Sequence, residues 1–224
     1  MSRKSSKGKC FLCNSTFSKG GMSRHLKTCI AKNVAVKEVV EKKIKSKDCL
    51  HVQVEGRYFS QYWMHLEVPV GTTLAELDLF LRNIWLECCG HLSAFNIRGQ
   101  GYSVAPDRDF SEKSMRASLA RVVDIGEYFT YEYDFGSTTE LTLRLVEKTK
   151  KSFPDKKIAV LARNDQPEYQ CDYCDKIAVE ICSECIYDDA GWLCEECAEE
   201  HECGEDMLLP VVNSPRVGVC AYTG

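Results

Sequence analysis

The chain has 224 residues, 44% hydrophobic and 28% charged, which is the composition of a globular protein of one or two domains. No apolar run approaches the roughly 18 residues that span a bilayer. No apolar core and small-residue cleavage site follow the lysine-rich N-terminus, so the expectation is a cytoplasmic protein with no membrane contact. The formal net charge of −4 conceals two opposed ends, since residues 1–47 carry +11 and residues 165–206 carry −14. Such ends are expected to meet different partners, or each other.

Fourteen cysteines exceed any background, and many fall in C-x-x-C pairs close to histidines. In a reducing compartment that spacing indicates metal, above all zinc, which takes sulfur and nitrogen ligands tetrahedrally. The first set is Cys10 and Cys13, then His25 and Cys29. The first pair suits a hairpin turn. The second pair is four apart and so shares one side of a helix. Phe17 and Met22 fall where a small ββα unit needs its core. These residues resemble a zinc finger of the C2H2 type with cysteine as the last ligand. In that family the start of the helix touches bases, and here it reads Lys19-Gly20-Gly21-Met22. With two glycines offering no side chain, Lys19, Ser23, Arg24 and Lys27 are the expected nucleic-acid contacts, directed mainly at phosphates, with Lys4, Lys7, Lys9 and Lys32 adding charge. Residues 31–47 read as a basic linker in which Val36, Val40 and Ile44 form one helical stripe.

From residue 48 the pattern changes to α+β: an antiparallel-leaning sheet with one main helix, flanked by two small zinc modules. Strands are expected at Leu50–Val54, Trp63–Val68, Leu92–Arg98, Tyr128–Asp134, Glu140–Val146 and Ile158–Ala162. Thr73 and Glu76 form a capping box, and Leu74, Leu77, Phe80, Leu81, Ile84 and Trp85 give the helix that follows a wide apolar face as far as Cys88. Helix is also expected around Met115–Val122. Cys49, Cys88 and Cys89 read as partly buried thiols without paired ligands. His91 and Asp134 are the candidate polar pair, able in principle to move a proton or bind a metal.

Glu67-Val68-Pro69, Thr73-Leu74-Ala75-Glu76-Leu77, His91-Leu92 with Phe95, and Tyr131-Glu132-Tyr133-Asp134-Phe135-Gly136 occur in this order. Together they resemble the plasmid pRiA ORF-3-like family over roughly residues 48–150. The resemblance implies an α+β fold and a link to mobile elements, and carries no secure biochemical activity. Where the family continues with an acidic residue and an aromatic, this chain has Ser137-Thr138-Thr139.

The last metal-ligand pattern is Cys171-x-x-Cys174, Cys182-x-x-Cys185, Cys194-x-x-Cys197 and His201-x-Cys203, eight ligands for two tetrahedral sites. About 33 residues cannot bury a sufficient core, so metal is expected to hold the fold. A short strand at Ala178–Ile181 and a hairpin joining Ile186-Tyr187 to Trp192-Leu193 are expected between the pairs. The segment resembles a B-box-type module, which implies interleaved sites: Cys171, Cys174, Cys194 and Cys197 in one, Cys182, Cys185, His201 and Cys203 in the other. Sequential pairing is the alternative. Fifteen acids oppose contact with nucleic acid and favour a protein partner. The apolar tail 208–224 is expected to dock on the body.

The domain plan is therefore a finger at 1–30, the linker 31–47, the ORF-3-like domain 48–164, the acidic module 165–206 and the arm 207–224, with three zinc ions. The leading functional expectation is a non-enzymatic nucleic-acid-binding protein associated with mobile elements and carrying a protein-interaction module. A protein adaptor without nucleic-acid binding is the second, and an enzyme using His91 and Asp134 is the third.

Overall fold

The computed structural model describes residues 6–41, 47–107, 109, 111–153, 157–188 and 190–224. Strands β1 (Lys7–Cys10) and β2 (Thr16–Ser18) open the chain and lead into helix α1 (Lys19–Glu41). Then come β3 (Asp48–Gly56), β4 (Trp63–Pro69), α2 (Leu74–Leu81), β5 (Ser93–Ile97), β6 (Gln100–Ser103), β7 (Lys113–Ser114), α3 (Leu119–Val122), β8 (Tyr128–Tyr133), β9 (Thr139–Lys150) and β10 (Ala159–Asn164). The ten strands form one sheet in the order β2-β1-β10-β4-β3-β9-β8-β5-β6-β7, antiparallel at every step except β6–β7. The fold class is α+β. Among the described residues, no helix is long and apolar enough to cross a membrane.

The alternation of β4 explains the layering. Successive side chains of a strand face opposite sides. Met64, Leu66 and Val68 point into the large core beneath α2, which also holds Leu50, Val52, Val54, Leu74, Leu77, Leu81 and Trp85. Trp63 points the other way, into a second core shared with Cys10, Met22, Leu26, Ile30, Val34 and Leu161. Helix α1 thus covers the sheet face opposite α2. Each large side chain it buries is worth about 1.5–3 kcal/mol. Both faces of β4 are sealed, which is why His65 and Glu67 are buried on a strand whose polar side would otherwise meet water.

The N-terminal segment that carries Cys10 and Cys13 is also an edge of the main sheet, since Gly8 pairs with Asn164 and Cys10 with Ala162. A Cβ at Gly8 would stand 2.7 Å from both Asn164 Cα and the Trp63 ring, so only glycine permits this close approach.

Several local expectations are corrected. The basic linker continues α1 without a break to Glu41, and the stripe it buries is Ile30 and Val34. Val36 is 63% exposed, while Lys4, the side chain of Val40 and all of Ile44 lie outside the described residues. The main helix begins with the expected capping box, Glu76 N–H donating to Thr73 Oγ1 at 3.2 Å and Thr73 N–H to Glu76 Oε2 at 2.9 Å. It ends as α-helix at Leu81, and a π-helical turn over Arg82–Leu86 carries it toward Cys88. Strand β6 was not anticipated, because its hairpin turns on Arg98-Gly99, both at positive φ, rather than on the Asn-Gly or Asp-Gly pair that usually marks such a turn. The helix expected over Met115–Val122 shrinks to the single turn of α3.

The acidic module forms a separate sheet of β11 (Glu180–Cys182), β12 (Trp192–Leu193) and β13 (Leu208–Pro210), with α4 (Glu195–Glu199) beside it. Its hairpin joins β11 to β12. Ile186 and Tyr187, expected on a strand, lie in a 3₁₀ turn over Cys185–Asp188.

Candidate metal centres

Three groups of thiols and histidines collect from the N- and C-terminal segments, each with four ligand atoms within 4.8 Å of one another. The first is Cys10, Cys13, His25 and Cys29. The turn from Cys10 to Asn14 closes with Asn14 N–H donating to Cys10 O at 2.8 Å, and Asn14 takes φ 61°, which asparagine tolerates better than most residues. It sets Cys13 Sγ 3.3 Å from His25 Nε2 and Cys10 Sγ 3.9 Å from Cys29 Sγ. Phe17 stacks on the His25 ring with centroids 4.2 Å apart.

The acidic module groups its ligands crosswise, Cys171, Cys174, Cys194 and Cys197 in one set and Cys182, Cys185, His201 and Cys203 in the other, so sequential pairing is not what this fold builds. Cys174 Sγ lies 3.6 Å from Cys194 Sγ, and Cys185 Sγ lies 3.5 Å from both Cys203 Sγ and His201 Nε2. Asp172 ties the knuckles together by accepting from the N–H groups of Gly191 and Trp192, each at 2.7 Å. Among the described residues, the apolar cluster inside this module is Cys182, Leu193 and Ala198 with a few partly buried neighbours.

These distances suit a shared cation. A tetrahedral ion about 2.3 Å from each sulfur holds the sulfurs about 3.8 Å apart, whereas a disulfide would bring them to about 2.05 Å. All fourteen cysteines are free thiols. The donor sets therefore fit metal ions, and no position in any set is left to a non-protein ligand.

The expected nucleic-acid contacts divide. Lys19 turns inward, forming an ion pair with Glu55 and donating to Ser60 O at 3.1 Å. Ser23 is half-buried, its Oγ 3.5 Å from His65 Nε2. Met22 is buried, and the side chains of Lys19 and Ser23 are engaged by the sheet. Arg24 and Lys27 stay exposed, as do Lys7, Lys9 and Lys32. Lys27 lines a groove between α1 and β9, together with Lys148, Lys150 and Glu147.

His91 and Asp134 are neighbours, with Nδ1 3.5 Å from Oδ1. Neither lines the groove beside Lys19, Tyr58 and Tyr169 or the one beside Lys27 and Lys150. Asp134 is bound by the fully buried Arg216, whose Nη2 donates to Asp134 Oδ2 at 2.7 Å. Arg216 also donates to Thr139 Oγ1 at 3.0 Å and Ser137 O at 3.1 Å, so the stretch that departs from the family pattern serves as its acceptor. Burial acts to raise the Asp134 pKa. The Arg216 bond and the Gly136 and Ser137 N–H groups overcome it and hold the carboxyl below its ordinary value. In sequence Arg216 reads as part of a docked tail, because its side-chain partners Asp134, Ser137 and Thr139 are far away in the chain. Cys88 and Cys89, expected to lack paired ligands, lie beside His91 and beside Cys220 from far along the chain.

Among curated proteins none matches the chain significantly. The crystal structure of a protein of unknown function from Methanosarcina mazei Go1 is similar at 18% identity, with a TM-score of 0.48, over 54% of this chain and 72% of that one. The family model described as plasmid pRiA4b ORF-3-like protein matches residues 49–176, running from β3 through the first ligand pair of the acidic module. This chain belongs to the plasmid pRiA4b ORF-3-like family.

Proposed function

We propose that this is a non-enzymatic, zinc-held binding protein that contacts nucleic acid through phosphates and presents an acidic module to a protein partner. Zinc is the ion that sulfur-rich tetrads of this spacing favour, one in each of the three centres described above. The observation that carries the nucleic-acid reading is the exposed basic groove. Among the described residues, Lys27, Lys148 and Lys150 line it with Glu147, Lys150 being paired with Asp48 at 2.7 Å, and Arg24 lies one helical turn before Lys27. Because Lys19 and Ser23 face the sheet, this binding lacks base readout and is governed by salt. A link to mobile elements rests on the family's plasmid name alone.

The acidic module supports the protein partner by a separate feature. Tyr173, Ile177, Val179 and Tyr187 are exposed on it among the acids, an arrangement of apolar anchors with a charged surround. The same feature favours, as the second reading, an adaptor that binds no nucleic acid.

The test is fluorescence anisotropy of the zinc-loaded full chain with labelled DNA and RNA, duplex and single-stranded, across a salt titration. The comparison is the charge-reversal variant Arg24→Glu/Lys27→Glu/Lys148→Glu. Deleting residues 1–47 would not serve, since it removes strands and core residues of the main sheet. Loss of three phosphate contacts should lower the slope of log K against log salt by about 2–3. Absence of binding at low salt by the unmutated chain would overturn the nucleic-acid reading and leave the adaptor.

A further inference from the structure

We propose that Cys88, Cys89, His91 and Cys220 form a fourth zinc centre, which fastens the segment 211–224 to the rim of the central sheet. Their ligand atoms lie within 4.8 Å of one another, the same compactness as in the three other tetrads. Cys89 Sγ is 3.3 Å from Cys220 Sγ, and Cys220 Sγ is 3.7 Å from His91 Nε2. Three of the ligands leave the π-helical turn after α2. The fourth arrives from 131 residues later than Cys89.

The surroundings are those of a built site. Metal-bound histidines almost always direct their other ring nitrogen at a carboxylate, a carbonyl or water. Here His91 Nε2 faces the thiols and Nδ1 faces Asp134 Oδ1 at 3.5 Å. Asp134 is in turn fixed by Arg216, and the same guanidinium reaches Cys88 Sγ at 3.4 Å. Three thiolates and one neutral imidazole around Zn²⁺ leave a charge of −1, and a buried cation donating to one of those sulfurs offsets it. The Tyr133 hydroxyl adds a contact to Cys88 Sγ at 3.9 Å, and its ring meets His91 edge-on. Two non-glycine residues with positive φ meet here, Asp134 at 65° and Cys220 at 56°. Such backbone strain persists where the surroundings hold it, commonly at functional sites.

Two simpler chemistries account for less. A Cys89–Cys220 disulfide would leave Cys88 and His91 without a role. A Cys220–His91 nucleophile would leave Cys88 and Cys89 idle. Only a cation uses all four donors and the Asp134–His91 orientation together.

The test is the metal content of the full chain purified with zinc, by native mass spectrometry and elemental analysis, beside Cys220→Ser and His91→Gln. The expected result is four ions in the unmutated chain and three in either variant. The variants should also lose amide-exchange protection within 211–224. Two variants are used so that instability of one leaves the other to decide, and Cys220 is exposed enough to change without disturbing the core. Three ions in the unmutated chain, unchanged in both variants, would overturn this centre while leaving the other three intact. A mass lower by two hydrogens under non-reducing conditions would overturn it in favour of the disulfide. No zinc at all would overturn the proposed zinc reading as a whole.

Discussion

Replacing Arg216 by Met keeps the length of the side chain and removes its charge. Arg216 is 0% exposed, and the Asp134 side chain it pairs with is 8% exposed. The change removes the bonds to Asp134, Thr139 and Ser137, together with the cation–π contact to Tyr133, whose centroid lies 4.8 Å from the guanidinium carbon. The larger cost is what remains: a carboxylate whose stabilising cation has gone. Breaking a buried pair by removing one partner costs about 3–5 kcal/mol. In a chain of this size each kcal/mol moves Tm by about 2–4 °C, so the fall should be about 6–20 °C. The assay is thermal unfolding by calorimetry in zinc-containing buffer at neutral pH. Adding Asp134→Asn should recover at least half of the loss, because it neutralises the stranded charge and asparagine tolerates the positive φ. A fall of less than about 2 °C, or a double variant no better than the single one, would refute the reasoning.

Chelation should abolish the near-UV circular dichroism of the acidic module, where Trp192 stacks on Tyr169 at 3.7 Å, while the far-UV signal of the main sheet persists; signal retained after complete metal removal would show that the small apolar cluster suffices. Gly8→Ala should cost about 1–3 kcal/mol, because its Cβ meets Asn164 and Trp63, and should raise amide exchange in β1 and β10; unchanged Tm and exchange would mean that the close approach is not needed. Burial holds His51 to a pKa of about 4 and His65 to about 3, with Nε2 and Nδ1 2.8 Å apart in a neutral pair near Glu147 and Lys19. The unfolded chain takes protons first as pH falls below about 6.5, so stability is lost from there down toward those folded values. By pH 5 the loss should be of order 2 kcal/mol for each histidine, and His51→Leu/His65→Leu should flatten the dependence of Tm on pH between 7 and 5; an unaltered slope would exclude the pair as its source.

The three cysteine–histidine tetrads at the ends are legible in the chain because their members lie close in sequence. Knuckle spacing and one helical turn settle most of their geometry. The longer central strands and the capping box of α2 are legible for the same reason, as alternation and capping are local codes, whereas β6 and β7 carry no such signal. Which side of α1 meets the sheet was not local. Lys19 and Ser23 read as contacts for a partner, yet Glu55, Ser60 and His65, brought in from β3, the β3–β4 loop and β4, occupy them. Cys88 and Cys89 looked partnerless, and Arg216 looked like a residue of a docked tail, because Cys220 and Asp134 are reached only when the chain folds back across more than eighty residues. Spacing along the chain dictates ligands that one turn or one hairpin can gather. Groups gathered across the sheet depend on packing, and packing is decided by the two cores that trap β4 between α1 and α2.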